Sequence, residues 1–323
     1  MTQRHIIESK QFDIAFLTTI FNLVRSIECL RKKKSGRHHL KQMLAGDELI
    51  NFFYAESTRT RISFNLAAKR LGMDVCETTN AEMFSSVAKG ETLEDTIRVL
   101  CGYEPDVIVL RHKLEHAAQT AAHISDHFGY KTKIINGGDG PGQHPTQALT
   151  DVYTIKKILG HLDALHVVVV GDLLYGRTTH SLVFLLSKFK DVRFTFVSPA
   201  QLSMKKGIID HLNEYHVPWA ATDDLSGYVA DADVVYMTRT QWERLPDVDR
   251  SELEALSAKC QLTLALAQVM KRDSIILHPL PRLTEIERTV DELPQAAYFE
   301  QAANGVLVRM ALLLYVLEME NAL

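Results

Sequence analysis

Arg59, Arg111, Arg177 and Arg239 each stand at the end of a short apolar run or at the start of the helical pattern that follows it. Lys89, in the polar segment FSSVAKGET, adds a fifth cation of this kind. Arginine offers a planar fork that matches carboxylate or phosphate oxygens two at a time, so separate arginines can grip separate anions and fix their orientation. The stretch YAESTRTRISFN concentrates donors: Ser57, Thr58 and Thr60 bring hydroxyls and Arg59 a guanidinium just where a helix begins. A helix start presents free N–H groups and a partial positive charge, which makes it a seat for phosphate; the competing reading is a capped surface helix. His144, in QHPTQ, can donate a hydrogen bond to a substrate oxygen, move a proton, or serve only packing. His278, in LHPLPRL, is equally open. The Leu280-Pro281 turn is more specific, because proline removes an N–H and leaves carbonyl oxygens to accept from an amino group. The chain has no G-x-S-x-G elbow, no H-E-x-x-H and no carboxylates at metal-ligand spacing. VVVVGDLLYGRTTHS follows a strand pattern but lacks G-x-G-x-x-G and the P-loop Gly-Lys-Ser/Thr, which excludes the usual nucleotide fingerprints. The remaining chemistry is transfer between two anionic molecules without metal or covalent intermediate.

The elements that must carry these residues alternate in type. ELINFF, DVIVLRH, TKIINGGD, LHVVVVGD, DVRFTFVSP, ADVVYMTR and SIILHPLP read as strands, with amphipathic helical patterns between them. Leu17, Ile20, Phe21, Val24 and Ile27 predict a helix over about 13–34, and Phe64, Ala67, Ala68 and Leu71 a second that ends near Gly72. Unbroken apolar strands are buried on both faces, so the fold class is α/β, two domains, each a parallel β-sheet flanked by helices. The chemistry-bearing residues then fall in loops at the carboxyl ends of the strands, where such sheets bind ligands. GGDGPG, at 137–142, is the best candidate for a hinge.

At 323 residues the chain suits two domains. A net charge of −4 with 24% charged residues gives no general affinity for nucleic acid, so an anion site must be local. One basic run, RKKKSGRHH at 31–39, is an alternative place for an acidic partner, though a Lys-rich helix end is usually just solvated. Cys29, Cys76, Cys101 and Cys260 are scattered, which argues against disulfides and a cysteine zinc site and suits a cytoplasmic protein. No signal or transit pattern opens the sequence, and MALLLYVL is too short to span a bilayer.

STRTRISF, SSVAKGETLEDT, VIVLRH, DGPGQHPTQALTD, VGDLLYGRTTHSL, YMTRTQWERL and HPLPRLTEI resemble, in order and spacing, the aspartate carbamoyltransferase catalytic chain. The closing YFEQAANGVLVRMALLLYVL is similar to that family's last helix, and the likeness runs from about residue 5 to the end. STRTR and HPTQ alone would fit ornithine carbamoyltransferases too, whereas MTRTQ and HPLPR favour aspartate. The resemblance implies condensation of carbamoyl phosphate with L-aspartate to N-carbamoyl-L-aspartate and phosphate, in pyrimidine synthesis and without cofactor. It implies that Ser57, Thr58, Arg59 and Thr60 bind phosphate, and that Arg111 bridges phosphate and carbonyl. His144 and Thr60 would polarise the carbonyl oxygen; Gln147 with the Leu280 and Pro281 carbonyls would hold the carbamoyl nitrogen. Arg177 would take the α-carboxylate of aspartate and Arg239 its side-chain carboxylate, helped by Gln241.

Ser85 and Lys89 match residues that enter a neighbouring subunit's site, which implies a homotrimer with shared active sites. Regulatory chains or a dihydroorotase are possible further partners. The implied domains are 1–144 with 302–323 for carbamoyl phosphate and 145–301 for aspartate, closing on each other around the substrates. Two positions depart from the family: Ala55-Glu56 stands where Glu-Pro is common, and Leu174 where many relatives have lysine. Both bear on closure and imply weaker aspartate affinity or altered cooperativity. Alternatives are another amine acceptor, or a catalytically dead scaffold of the same fold.

Overall fold

The computed structural model describes residues 4–79, 90–241 and 258–323. The chain divides into two compact units: residues up to Leu149 together with Asn304–Leu323, and Thr150–Ala303. Both junctions fall inside helices, Pro145–Leu159 and Tyr298–Val316. The GGDGPG segment is not at a junction: Gly137–Asp139 finishes a strand, and the division comes later.

The first unit has a four-stranded parallel sheet of β1 (Glu48–Phe53), β2 (Asp74–Thr79), β3 (Val107–His112) and β4 (Lys133–Asp139), in the order β2-β1-β3-β4. Helix Thr58–Leu71 follows β1 and ends at Gly72 with φ +99, where an added Cβ would lie 2.1 Å from the Lys41 carbonyl oxygen. Only glycine meets both demands. Helices Leu93–Gly102 and Ala117–His127 bury Ile97, Cys101, Ala117, Ala118 and Ala121 against Ile108, Leu110 and Ile134 of the sheet. Small alanines on the inner face let the second of these helices lie close to the strands. The predicted first helix is two, Ile14–Arg31 and Lys34–Leu40, because the basic run has no apolar periodicity to carry the first beyond Arg31.

The second unit has five parallel strands: β5 (His166–Val170), β6 (Arg193–Val197), β7 (Trp219–Thr222), β8 (Val234–Met237) and β9 (Ile275–Leu277), in the order β7-β6-β5-β8-β9. Val168, Val170, Val235, Met237 and Ile276 pack beneath Leu262, Ala267, Val290 and Tyr298. Every residue of β5, β8 and β9 is buried, as the unbroken apolar runs require. The strands absent from the sequence reading are β2 and β7, each at the edge of its sheet. Edge strands such as DVCETT and WAAT face solvent and lose the apolar signature.

In both sheets the strand order reverses once. In the first unit the chain runs outward from β1 to β2 and then back to β3; in the second it runs from β5 outward to β7 and returns at β8. Loops leaving adjacent strands on either side of such a reversal turn in opposite directions and leave a crevice at the carboxyl ends. The switch points therefore lie between β1 and β3, and between β5 and β8.

Candidate active site

In the first unit the loop after β1 leads into helix Thr58–Leu71, whose N-cap is Ser57. The Ser57 side chain makes no capping hydrogen bond, so the first backbone N–H groups of the helix are not satisfied by the cap. That disfavours the capped-helix reading. Thr58 and Arg59 are exposed and Thr60 is buried, its carbonyl accepting from the Ser63 hydroxyl at 2.8 Å. Arg59 makes no hydrogen bond or ion pair among the described residues. Desolvation by the surrounding protein lowers its pKa from the ordinary arginine value, yet a guanidinium stays charged at neutral pH. A cation at an uncapped helix start is a ready anion seat.

Across the switch point, Arg111 is the fifth residue of β3 and pairs in register with Phe53. The Tyr54 N–H donates to the Arg111 carbonyl at 2.9 Å, which ties the β1 loop to the end of β3. The Arg111 guanidinium donates to the Gly137 carbonyl of β4 at 2.9 Å. His112 turns the other way: its Nδ1 accepts from the Leu114 N–H at 2.9 Å and its ring meets Tyr54 edge-on.

His144 is 5% exposed and precedes helix Pro145–Leu159; its carbonyl accepts the N–H groups of Gln147 and Ala148 at 3.0 and 3.1 Å. Pro145 lacks an N–H where a helix does not need one. The loop before it is held by Asp139, a residue the sequence reading passed over. One Asp139 carboxylate oxygen accepts from the Gln143 N–H at 2.7 Å and the other from the His116 N–H at 2.9 Å. The glycines of GGDGPG serve this tight turn, since a Cβ on Gly140 would sit 2.3 Å from the Lys113 carbonyl oxygen.

In the second unit the loop after β5 leads to Arg177, the first residue of helix Arg177–Leu186, while Arg239 and Gln241 follow β8. These two loops are joined. The buried Asp172 accepts the Tyr175 N–H at 2.9 Å through one oxygen, and the backbone and side-chain N–H groups of Gln241 at 3.3 and 3.2 Å through the other. Asp172 is the second residue that sequence reasoning missed; a carboxylate one glycine beyond four valines was the available signal. Gly171, at φ +112, allows the approach, because a Cβ there would lie 2.3 Å from the Thr238 carbonyl oxygen. The Arg239 guanidinium donates to the Thr240 carbonyl at 3.3 Å.

After β9 the chain makes a cis Leu280-Pro281 bond, and the carbonyls of both residues accept no hydrogen bond among the described residues. His278 is 2% exposed and its ring is occupied on both sides: Nδ1 accepts from the Leu280 N–H at 2.7 Å, and Nε2 lies 2.7 Å from Glu285 Oε1. A ring nitrogen that accepts carries no proton, so the proton is on Nε2 and is donated to Glu285. Burial raises the Glu285 pKa, but hydrogen bonds from His278 and from the Glu285 and Leu283 N–H groups outweigh it and leave the carboxyl below its usual range. This settles the open reading of His278: it holds the turn. The neighbouring Arg282, another strand-end cation, is bound to Asp291 and to the Tyr298 hydroxyl. Ser85 and Lys89 lie outside the described residues. Among the described residues, no group of three or more His, Cys, Asp or Glu is arranged to hold a metal ion.

Each unit therefore gathers its cations at its own switch point. Residues 4–157 match the family model described as "Aspartate/ornithine carbamoyltransferase, carbamoyl-P binding domain", and residues 163–316 match "Aspartate/ornithine carbamoyltransferase, Asp/Orn binding domain". A chloroplastic aspartate carbamoyltransferase of Arabidopsis thaliana is 50% identical over 309 residues, covering 95% of this chain and 76% of that protein. Among solved structures, the catalytic subunit of M. jannaschii aspartate transcarbamoylase superposes with a TM-score of 0.87 at 42% identity, covering 98% of each chain. The aspartate transcarbamoylase of Trypanosoma cruzi in complex with N-(phosphonacetyl)-L-aspartic acid superposes with a TM-score of 0.86 at 34% identity, covering 97% of this chain and 95% of that one. Sequence, fold and the division into two units agree, and the chain belongs to the aspartate/ornithine carbamoyltransferase family, among its aspartate carbamoyltransferases.

Proposed function

We propose that this chain transfers the carbamoyl group of carbamoyl phosphate to the amino group of L-aspartate, releasing N-carbamoyl-L-aspartate and phosphate. The observation that carries the reading is Arg59, a cation with no hydrogen bond or ion pair among the described residues, at an uncapped helix start on a switch point. It has the chemistry of a phosphate seat, and Ser57, Thr58 and Thr60 add hydroxyl and backbone donors around it. Arg111, on the adjacent strand of that crevice, takes phosphate and carbonyl oxygen together. His144 and Thr60 donate to the carbonyl oxygen and stabilise the negative charge that builds there as the amine adds. Gln147 and the carbonyls of Leu280 and Pro281 hold the carbamoyl nitrogen.

Arg177 and Arg239 take the two carboxylates of aspartate, with Gln241 aligned by Asp172. Two arginines suit an acceptor with two acidic groups; ornithine, whose second group is an amine, would meet a cation instead. The amine attacks in its neutral form, and the phosphate that leaves is basic enough to accept the proton. What the protein supplies is neutralisation of two mutually repelling anions, orientation, and oxyanion stabilisation.

Assembly as a homotrimer is part of the same proposal, with Ser85 and Lys89 entering a neighbour's site. Four free cysteines accord with the reducing compartment proposed, the cytoplasm. The test of the function is turnover of carbamoyl phosphate with aspartate, beside ornithine and other amines, followed as ureido product without added metal. Turnover confined to aspartate is expected; product with another amine, or none, overturns the assignment. The trimer is tested by solution mass and by mixing Lys89→Ala with His144→Ala protein: shared sites recover part of the activity, unshared sites recover none.

A further inference from the structure

We propose that His278 and Glu285 form a positioning dyad that aims the Leu280-Pro281 carbonyls at the carbamoyl nitrogen, so that the enzyme selects an amide nitrogen over an isosteric methyl group. This rests on the carbamoyl-transfer reading above and names the device behind one of its contacts. Leu280 sits at φ +55, a left-handed conformation that a leucine holds only when its surroundings enforce it. Two residues earlier, the His278 ring supplies the enforcement by accepting the Leu280 N–H at 2.7 Å. The ring is itself fixed, because its other nitrogen donates to Glu285 at 2.7 Å and Glu285 also accepts the Leu283 N–H at 2.9 Å. One carboxylate thus pins both ends of the turn.

The backbone of His278 is anchored as firmly. Its N–H donates to Gln301 Oε1 at 2.9 Å, Gln301 Nε2 donates to Asp151 at 2.6 Å, and the Tyr236 hydroxyl donates to the other Asp151 oxygen at 2.8 Å. Gln301, Asp151 and Tyr236 are fully buried. The N–H groups of His278, Leu280 and Leu283 and both His278 ring nitrogens are thus engaged, while the carbonyls of Leu280 and Pro281 accept no hydrogen bond among the described residues. They accept hydrogen bonds and donate none, so they favour –NH2 and gain nothing from –CH3.

Two substitutions at one position separate this role from bulk stability. In His278→Asn the side-chain oxygen can occupy the place of Nδ1 and still accept from Leu280, whereas in His278→Gln the amide reaches toward Glu285 and leaves that N–H without its acceptor. The readout is the ratio of the inhibition constant of acetyl phosphate, whose methyl replaces the amide nitrogen, to the KM of carbamoyl phosphate. His278→Gln is expected to lower this ratio about tenfold, the equivalent of one lost hydrogen bond, by raising the KM while acetyl phosphate binds as before. His278→Asn should keep the ratio within about threefold of the unsubstituted protein on the same reasoning. An unchanged ratio in His278→Gln overturns the proposal, and so does an equal weakening of both phosphates in both variants. Should His278→Gln not fold, Glu285→Gln must lower the ratio in the same direction, and an unchanged ratio there is equally fatal. An inactive unsubstituted enzyme sinks the functional reading itself; an active one with an unchanged ratio sinks only the dyad.

Discussion

Replacing Arg59 by alanine should separate binding from folding more cleanly than any other change in the first unit. The guanidinium has no hydrogen bond or ion pair among the described residues, so its loss strands no carboxylate. Its surroundings disfavour the charged form, which lowers its pKa, so removal relieves a small desolvation cost. Stability should therefore stay within about 0.5 kcal/mol of the unsubstituted protein, the usual range for a surface change that touches no special feature. The cost falls on the ligand. A charge-assisted hydrogen bond contributes about 1.5–3 kcal/mol, so a two-pronged contact to phosphate is worth about 3–5 kcal/mol. At about 1.4 kcal/mol per tenfold, kcat/KM for carbamoyl phosphate should drop by roughly two to three and a half orders of magnitude. Arg59→Lys, which keeps the charge and loses the fork, should fall between. Steady-state kinetics with thermal melts of the same preparations decide it. Activity within threefold of the parent would refute the phosphate seat, and a large loss of melting temperature would show that Arg59 is structural after all.

Restoring the family residues at the two departures, Ala55→Glu with Leu174→Lys, should lower the aspartate concentration for half-maximal rate; an unchanged value means that these positions do not govern closure. Gly171→Ala must either break φ +112 or push against the Thr238 carbonyl oxygen at 2.3 Å, and should cost about 2 kcal/mol or more, visible as a lower melting temperature. Tyr236→Phe removes the hydroxyl that donates to Asp151 and leaves a buried carboxylate short of one bond, a loss of about 1–3 kcal/mol in chemical denaturation. Asp291 has its pKa lowered first by the Arg282 hydrogen bond, against an opposing effect of burial. A depressed carboxylate pKa stabilises the fold above the unfolded value, near pH 4, and that contribution disappears as pH falls through the folded value. Asp291→Asn should therefore flatten the acid limb of the stability curve below about pH 4; an unaltered limb would show the pair contributes nothing.

The interior strands were legible because burial on both faces leaves runs such as VVVV with few alternatives. β2 and β7 were not, since an edge strand carries polar residues on its solvent side and loses the pattern that marks it. Arg59, Arg111, Arg177 and Arg239 stood out as candidates for a different reason: each falls at or shortly after the carboxyl end of an apolar strand, where the sequence pattern itself marks the loop. The residues that hold the loops around them were hidden. Asp172 reads as part of a loop until Gln241, 69 positions away, is seen to share it. The chain from Tyr236 through Asp151 to Gln301 spans separations of 85 and 150 positions. Pairings that distant leave no local period, and no spacing rule recovers them from one sequence. His278 was ambiguous for the same reason, because its role depends on Glu285 and on a backbone N–H, neither of which its own type reveals.

Arg282 shows why position alone does not make a binding cation. Like Arg59 it follows a buried strand at the carboxyl end of its sheet, and by type it is just as able to hold an anion. It is buried, bonded to Asp291 and to the Tyr298 hydroxyl, and its guanidinium lies 5.2 Å from the Tyr298 ring centre. An anionic substrate could recruit it only by breaking an ion pair and leaving Asp291 unmatched, which would cost more than the new contact returns. Arg59 has no such debt, because no carboxylate among the described residues pairs with it and the helix start beside it supplies donors. In a chain of net charge −4, an arginine with no partner among the described residues, set on a switch point, is local positive potential that an anion can use. The difference between the two arginines lies in Asp291, nine residues from Arg282 and bonded to it, with no counterpart for Arg59 among the described residues, and so in the fold rather than in the motif.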